Sequence, residues 1–189
     1  MGGSALAMNW ENENIPAIVH SWYPGQFGGA AIADVLFGDY NPAGRLPVTF
    51  YKSVDQLPRF DDYKMDGRTY RYFKGQPLYP FGYGLSYTTF GYTGLKAPSK
   101  IDAGKDVPVG VVVQNTGKNA GDEVVQLYVT NTSAKVPVPI RSLAGATRVS
   151  LKPGERKTVS FTLTPRQMST VLDDGRRVVE PGEYTFSVG

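Results

Sequence analysis

At 189 residues the chain is long enough for two small domains, and its composition is that of an ordinary globular protein. The net charge is only +3 and basic residues are interspersed with acidic ones, so neither a nucleic-acid partner nor a membrane surface is predicted. The lack of cysteine excludes disulfides and thiolate metal sites, and no apolar run reaches the roughly 18 residues of a transmembrane helix.

The first residues lack the features of an export signal. The run MGGSALAMNWENEN has no basic region and no long apolar core, so we expect any signal peptide to precede it. Residues 5–8 are predicted to be the stub of a strand. Residues 15–19, which are almost continuously apolar, have the pattern of a short parallel strand buried on both faces.

A helix is predicted next, over residues 26–37. Pro24 and Gly25 form a turn before it, and Gly38 suits the left-handed position that follows a helix. We expect Gly28 and Gly29 to let this helix approach neighbouring backbone closely. The predicted packing face consists of Ala30, Ala31, Ile32, Val35 and Leu36.

The helix is followed by a turn and a further predicted strand. Asn41-Pro42-Ala43-Gly44 is the turn signal, and residues 46–51 are predicted to be the strand. One strand–helix–strand unit cannot cover both faces of a parallel sheet. We therefore expect residues 1–57 to be a piece of a larger α/β domain, which alone would leave apolar surface exposed.

Residues 58–91 are predicted to be an ordered linker, because they are unusually rich in aromatic side chains. Flexible linkers are rich in serine, glycine and charge, so this segment must pack onto something. Arg68 and Arg71 lie among the rings, where stacking and cation–π contacts are available. We favour such a structural role for both arginines, and hydrogen bonding to sugar hydroxyls is the alternative.

From residue 92 to residue 189 the sequence predicts an all-β domain. Apolar residues alternate in four segments, around Val111, Leu127, Phe161 and Phe186, and turn signals rich in glycine, proline and asparagine separate them. Short strands with this period predict a β-sandwich of about 100 residues.

These motifs together resemble the C-terminal region of glycoside hydrolase family 3, which includes β-glucosidases and β-xylosidases. The matching runs are Pro16-Ala17-Ile18-Val19, Trp22-Tyr23-Pro24-Gly25-Gln26, Ile32-Ala33-Asp34-Val35-Leu36-Phe37-Gly38, Asn41-Pro42-Ala43-Gly44-Arg45-Leu46-Pro47, Arg68-Thr69-Tyr70-Arg71-Tyr72-Phe73 and Leu78-Tyr79-Pro80-Phe81-Gly82-Tyr83-Gly84-Leu85-Ser86-Tyr87. The resemblance implies a partial α/β sandwich (a parallel-sheet fragment) followed by an immunoglobulin-like, fibronectin type III-like sandwich.

The resemblance also implies a reaction that this chain cannot perform alone. Retaining glycosidases use two carboxylates about 5 Å apart. In the family the nucleophilic aspartate lies in an N-terminal (β/α)8 barrel, and the acid/base glutamate lies upstream of the matching segment. We therefore expect no catalytic residue, no metal and no cofactor here. The expected partners are a β-glycoside or oligosaccharide substrate, the barrel and the rest of the α/β domain.

A few residues are candidates for a substrate cleft or a domain interface. His20 follows an apolar strand, and a hydrogen-bonded structural histidine is favoured over a place near the cleft. Trp22 and Tyr23 suit a sugar ring, although packing is favoured. The structural positions are Pro24, Gly25, Gly28, Gly29, Gly38 and Gly44.

Two other functions compete with the supporting role in a glycosidase. One is a free-standing module whose β-sandwich binds carbohydrate or protein, and the other is a purely structural fragment. We expect a whole protein of this kind to be periplasmic or secreted, with a cytoplasmic location as the alternative. Preference for glucosides or xylosides is left open by the sequence.

Overall fold

The computed structural model describes residues 2–189 and divides the chain into two units, one ending at Leu85 and the other running from Ser86 to Gly189. The boundaries of the predicted segments, 57/58 and 91/92, stay predictions.

The described part of the first unit, residues 2–85, contains three α-helices and one short 3-10 helix. These elements are α1 (Asn9–Asn14), α2 (Gly28–Phe37), the 3-10 helix (Val54–Gln56) and α3 (Thr69–Tyr72). Helix α2 confirms the helix predicted over residues 26–37. It ends at Gly38, whose φ of 86° is left-handed, and the Gly38 amide donates to the Val35 carbonyl.

The three strands predicted for the first unit are wrong. Residues 5–8, 15–19 and 46–51 form no strand ladder, and the described residues of this unit contain one isolated antiparallel bridge, between Phe50 and Tyr79. A parallel strand needs neighbours to pair its amides and carbonyls, and the chain supplies none for residues 15–19. Ile18 and Val19 are accordingly exposed rather than buried.

Helix α2 leaves apolar surface uncovered, as the sequence predicted for this segment alone. Leu36 is 63% exposed and Phe37 84% exposed, and among the described residues of the helix only Gly28 is buried. Its single charged residue is Asp34. Helices that are apolar on nearly all sides belong in the interior of larger proteins.

The second unit is a sandwich of antiparallel strands. Its elements are β1 (Phe90–Lys96), β2 (Val107–Asn115), β3 (Gly121–Asn131), β4 (Ser142–Leu151), β5 (Arg156–Leu163), α4 (Pro165–Met168), β6 (Thr170–Val171), β7 (Arg177–Val178) and β8 (Tyr184–Val188). One sheet has the order β1-β2-β5 and the other β4-β3-β8, while β6 pairs with β7. The predicted strands correspond to β2, β3, β5 and β8.

The core of the second unit lies between these two sheets. Alternate residues of β2 are buried, and the buried residues of β2 and β3 join those of β5 in two apolar clusters. The clusters consist of Val107, Val109, Leu127, Val129, Leu163 and Met168, and of Val111, Val113, Val125, Leu151 and Val159. The period-2 pattern of the sequence is therefore the pattern of the core.

A buried asparagine at the end of β2 forms hydrogen bonds to several other segments of the second unit. Asn115 is fully buried, and its amide nitrogen donates to the Leu151 carbonyl at 3.0 Å and to the Asn119 carbonyl at 2.8 Å. Its amide oxygen accepts from the Thr88 hydroxyl and the Gly117 amide. Every polar atom of the side chain is thus paired, as burial requires.

Replacing Asn115 should destabilise the sandwich far more than replacing its neighbour. Asn115→Ala leaves buried donors and acceptors unpaired, which should lower the free energy of unfolding by about 3 kcal/mol. Gln114→Ala, on the opposite face of the strand, should change it by less than about 0.5 kcal/mol. Urea unfolding followed by circular dichroism measures both, and equal effects would contradict this account of Asn115.

Candidate functional site

The candidate site in the first unit is built around a strained tryptophan. Trp22 has a φ of 52°, a left-handed conformation that is unusual for so large a residue. Its ring meets the His20 ring edge-on, with 4.4 Å between centroids, and lies 6.1 Å from the Phe50 ring. Phe50 is only 1% exposed, so it forms the buried base of this cluster. Such strain persists only where the surroundings hold it in place.

His20 is the most unusual polar group of the cluster. Its Nε2 atom is buried and has no hydrogen-bond partner among the described residues, while its ring also meets Phe50 edge-on at 5.4 Å. Burial lowers the pKa of His20 below its ordinary value of 6.5. The imidazole is therefore neutral at pH 7. Nε2 therefore does not form the hydrogen bond that we expected of a structural histidine.

The wall of the cluster continues through two tyrosines that sequence analysis did not single out as site residues. The Tyr79 ring lies 6.2 Å from Phe50 and stacks on Tyr83 at 5.3 Å. The Tyr79 hydroxyl donates to Asn12 Oδ1 at 2.7 Å, and burial raises its pKa. The aromatic density of residues 58–91 was the only signal in the sequence that could have found them.

Tyr23 and the following turn lie at the surface of the first unit. The Tyr23 ring is 77% exposed, in contrast to Trp22. The Gly28 amide donates to the Gly25 carbonyl, and a side chain at Gly28 would collide with the Pro24 ring. Gly25, Gly29 and Gly44 face open space in this unit, so a Cβ atom there would meet nothing within 4 Å.

The two candidate arginines hold the chain around α3. Arg68 Nη2 donates to the carbonyls of Arg59 and Asp62, each at 2.8 Å. The Arg71 guanidinium lies 5.9 Å above the Tyr70 ring. These contacts of Arg68 and Arg71 do not involve His20 or Trp22. They therefore share no residue with the contact between the His20 and Trp22 rings.

Four acidic residues of the first unit are exposed to solvent. Glu11 and Glu13 are exposed on α1, and Asp34 and Asp39 are exposed on and just after α2. No group of three metal-binding side chains occurs in residues 2–189, and no helix in that range is long and apolar enough to cross a bilayer. The aromatic cluster can pack against apolar surface or contact a sugar ring.

Known proteins share both units of this chain. Residues 1–87 match the glycosyl hydrolase family 3 C-terminal domain, and residues 123–189 match the fibronectin type III-like domain. A xylan 1,4-β-xylosidase of Xylanibacter ruminicola is 46% identical over 99% of this chain, and a periplasmic β-glucosidase of Salmonella typhimurium is 42% identical over all of this chain.

Solved structures agree with these matches. A β-glucosidase from Erythrobacter marinus superimposes on the whole chain with a TM-score of 0.89 at 44% identity. A β-glucosidase mutant from Listeria innocua, solved in complex with laminaribiose, does so with a TM-score of 0.86 at 31% identity. The predicted fold class, a partial α/β sandwich followed by a fibronectin type III-like sandwich, is confirmed.

The two family matches, in this order along the chain, identify the C-terminal region of a glycoside hydrolase. The chain belongs to glycoside hydrolase family 3 and corresponds to that region of its members. It spans 22% and 27% of the length of two curated relatives, and 25% of the Erythrobacter chain.

The lowered pKa of His20 predicts a pH dependence of the first unit. Because His20 binds its proton less readily when folded than when unfolded, the folded unit loses stability as the pH falls below about 6.5, and the loss levels off below the folded pKa. Urea unfolding at several pH values measures this free energy of unfolding. It can be followed by the fluorescence of Trp10 and Trp22, which both lie in this unit. The histidine is the only one in the chain, so its ring protons report its pKa directly by NMR.

His20→Gln is the matched control for this dependence, since glutamine does not titrate. The variant should remove the loss of stability between about pH 6.5 and the folded pKa of His20. An NMR pKa at or above 6.5 for His20 would contradict the burial of its ring.

Proposed function

We propose that this chain is the C-terminal, supporting portion of a retaining, exo-acting β-glycosidase that removes terminal β-linked glucose or a related sugar such as xylose. The proposal is supported by relatives named as β-glucosidases and β-xylosidases, which are matched over nearly the whole chain. The observation that carries the supporting role is the uncovered apolar surface of α2.

The exposed apolar residues of the first unit indicate where it would contact the rest of the enzyme. Phe27, Leu36 and Phe37 are more than half exposed, and burying such side chains stabilises a protein by about 1.5–3 kcal/mol each. In our proposal they pack against the rest of the α/β domain, which carries the acid/base glutamate. The open space at Gly29 fits close approach by a neighbouring element.

The chemistry of the reaction belongs to other parts of the enzyme. A retaining glycosidase needs a nucleophile and an acid/base about 5 Å apart. Glu11, Glu13, Asp34 and Asp39 are exposed, and the family resemblance assigns both roles to residues upstream of the matching segment. The β-glycoside substrate, the barrel and the remaining α/β domain are therefore the proposed partners.

His20, Trp22 and Tyr23 are proposed to lie at the substrate cleft or at the interface with another domain. Strain in the backbone of Trp22 and an unpaired buried Nε2 on His20 are features that cluster at functional sites. Arg68 and Arg71 are assigned a structural role in the proposed linker 58–91, between segments 1–57 and 92–189, because their contacts are to carbonyls and to a ring.

The purified chain alone should not hydrolyse glycosides. We expect no release of nitrophenol from 4-nitrophenyl β-glucoside or β-xyloside above the rate of buffer, because no catalytic carboxylate pair is present. The matched positive control is the Erythrobacter marinus β-glucosidase assayed at equal molar concentration. Measurable turnover by a homogeneous preparation of the chain would overturn the supporting role.

A chimeric enzyme tests directly whether this chain can act as the supporting C-terminal portion of a β-glucosidase. Replacing the matching quarter of the Erythrobacter marinus β-glucosidase with this chain should give an active enzyme, because the two are 44% identical over that region. Phe37→Lys in the chimera should abolish soluble activity, since it would bury an unpaired charge. In the isolated chain the same change should alter the free energy of unfolding by less than about 0.5 kcal/mol, because the side chain is exposed there.

Val171→Lys is the control for the chimera, because Val171 is an exposed apolar residue of the second unit. It should leave the activity of the chimera within about twofold of the unsubstituted chimera. An active chimera that tolerates Phe37→Lys would show that α2 does not face the rest of the enzyme. A soluble chimera without activity would contradict the proposed function itself.

A further inference from the structure

A cavity of about 980 Å³ lies at one end of the sandwich in the second unit. It is surrounded by the start of β2, the end of β3 and the start of β8, together with the loop 98–105 and the turn 179–183. In an antiparallel sandwich these strand ends meet at the same edge, so the cavity is a consequence of the topology. Its volume lies within the range of about 300–1,000 Å³ usual for ligand sites.

The lining of this cavity combines apolar surface with both hydrogen-bond donors and acceptors. Apolar walls are provided by Val107, Met168 and Phe186. The polar lining residues are Ser99, Lys100, Asp102, Lys105, Thr132, Glu180, Glu183, Tyr184 and Thr185. Such a lining offers partners to a ligand that both donates and accepts hydrogen bonds and also has apolar faces.

Glu180 is the least satisfied polar group of the cavity. Its Oε2 atom is buried and has no hydrogen-bond partner among the described residues. Burying a carboxylate oxygen without a hydrogen bond raises the free energy of the folded state, and a ligand that donates a hydrogen bond to it would remove this cost. The Tyr184 hydroxyl donates to the Glu180 carbonyl at 3.1 Å and leaves the carboxylate itself without that donor. Burial and the nearby Glu180 charge raise the pKa of Tyr184, so its hydroxyl stays protonated at neutral pH.

We propose that this cavity binds a neutral oligosaccharide, with Glu180 accepting hydrogen bonds from sugar hydroxyls after a change of side-chain rotamer. Lys100 and Lys105 donate to hydroxyl oxygens, and the C–H face of a pyranose packs against the apolar wall near Met168. The site is an addition to the proposed function, since it lies wholly in the second unit and takes no part in hydrolysis.

Charge and ligand chemistry favour a neutral sugar over an ion. Two lysines and three acidic residues line the cavity, so an anionic ligand gains no net attraction there. No group of three side chains that could hold a metal occurs in residues 2–189. A sugar hydroxyl can donate to a carboxylate and accept from an ammonium group at once, which matches the mixed lining.

Titration of the intact 189-residue chain, labelled with nitrogen-15, with cellotriose and with xylotriose tests the proposal by NMR. We expect saturable shifts confined to residues 98–105, 132 and 179–186, with a dissociation constant on the order of 1 mM for at least one of the two sugars. Glucuronic acid should shift the same amides at least about tenfold more weakly, because the net charge of the lining is negative.

Two variants separate a specific site from general surface contact. Glu180→Gln should weaken binding about tenfold by removing a charge-assisted hydrogen bond. Ser99→Phe should abolish it by filling the cavity from the exposed loop. Glu13→Gln, an exposed residue of α1, is the matched control and should bind like the unsubstituted chain. The amide spectrum of each variant reports whether it is folded.

Three results would overturn the proposal. They are the absence of saturable shifts with both trisaccharides, shifts centred outside the cavity, and unchanged affinity in folded Glu180→Gln and Ser99→Phe. Hydrolytic activity of the chimera is a separate readout, so failure of the sugar site and failure of the proposed function are distinguishable.

Discussion

Apolar faces of helices and sheets must be covered by other apolar groups, and the two units of this chain differ in how far they meet this requirement. The sandwich meets it internally, because the alternate valines of β2 and β3 face each other and are almost inaccessible to solvent. Helix α2 does not, because residues on nearly all its sides are apolar and residues 2–85 form no sheet that could cover them. This difference explains why one unit has a regular core and the other depends on a few aromatic contacts.

The order of the first unit comes from rings rather than from strands. Phe50 is its most buried large side chain, and His20, Trp22 and Tyr79 all contact it. These ring contacts, together with the antiparallel backbone bridge between Phe50 and Tyr79, surround the left-handed backbone at Trp22 and the His20 ring with its lowered pKa.

Sequence reasoning succeeded where one local rule decides the structure. Alternation predicted β2, β3, β5 and β8, and helix α2 with its Gly38 terminus followed from composition and turn chemistry. It failed for residues 15–19, since a strand buried on both faces is defined by neighbours that this chain does not provide. Strand β4 was missed because its small Gly145 makes room for the Phe161 ring, which weakens the alternating pattern. The role of Phe50 depends on long-range contacts that no local pattern encodes.

The residues that identify the family and the residues that carry chemistry are under different physical constraints. The run from Trp22 to Phe50 is dense in glycine, proline and aromatic residues because turns, helix ends and ring contacts allow few substitutes. Carboxylates that react must instead be paired and shielded, and those of α1 and α2 are solvated. In the second unit one carboxylate oxygen, Glu180 Oε2, is shielded from solvent. The family motifs therefore indicate how this backbone packs, and both of our proposed contact sites contain an unsatisfied buried polar atom, His20 Nε2 in one and Glu180 Oε2 in the other.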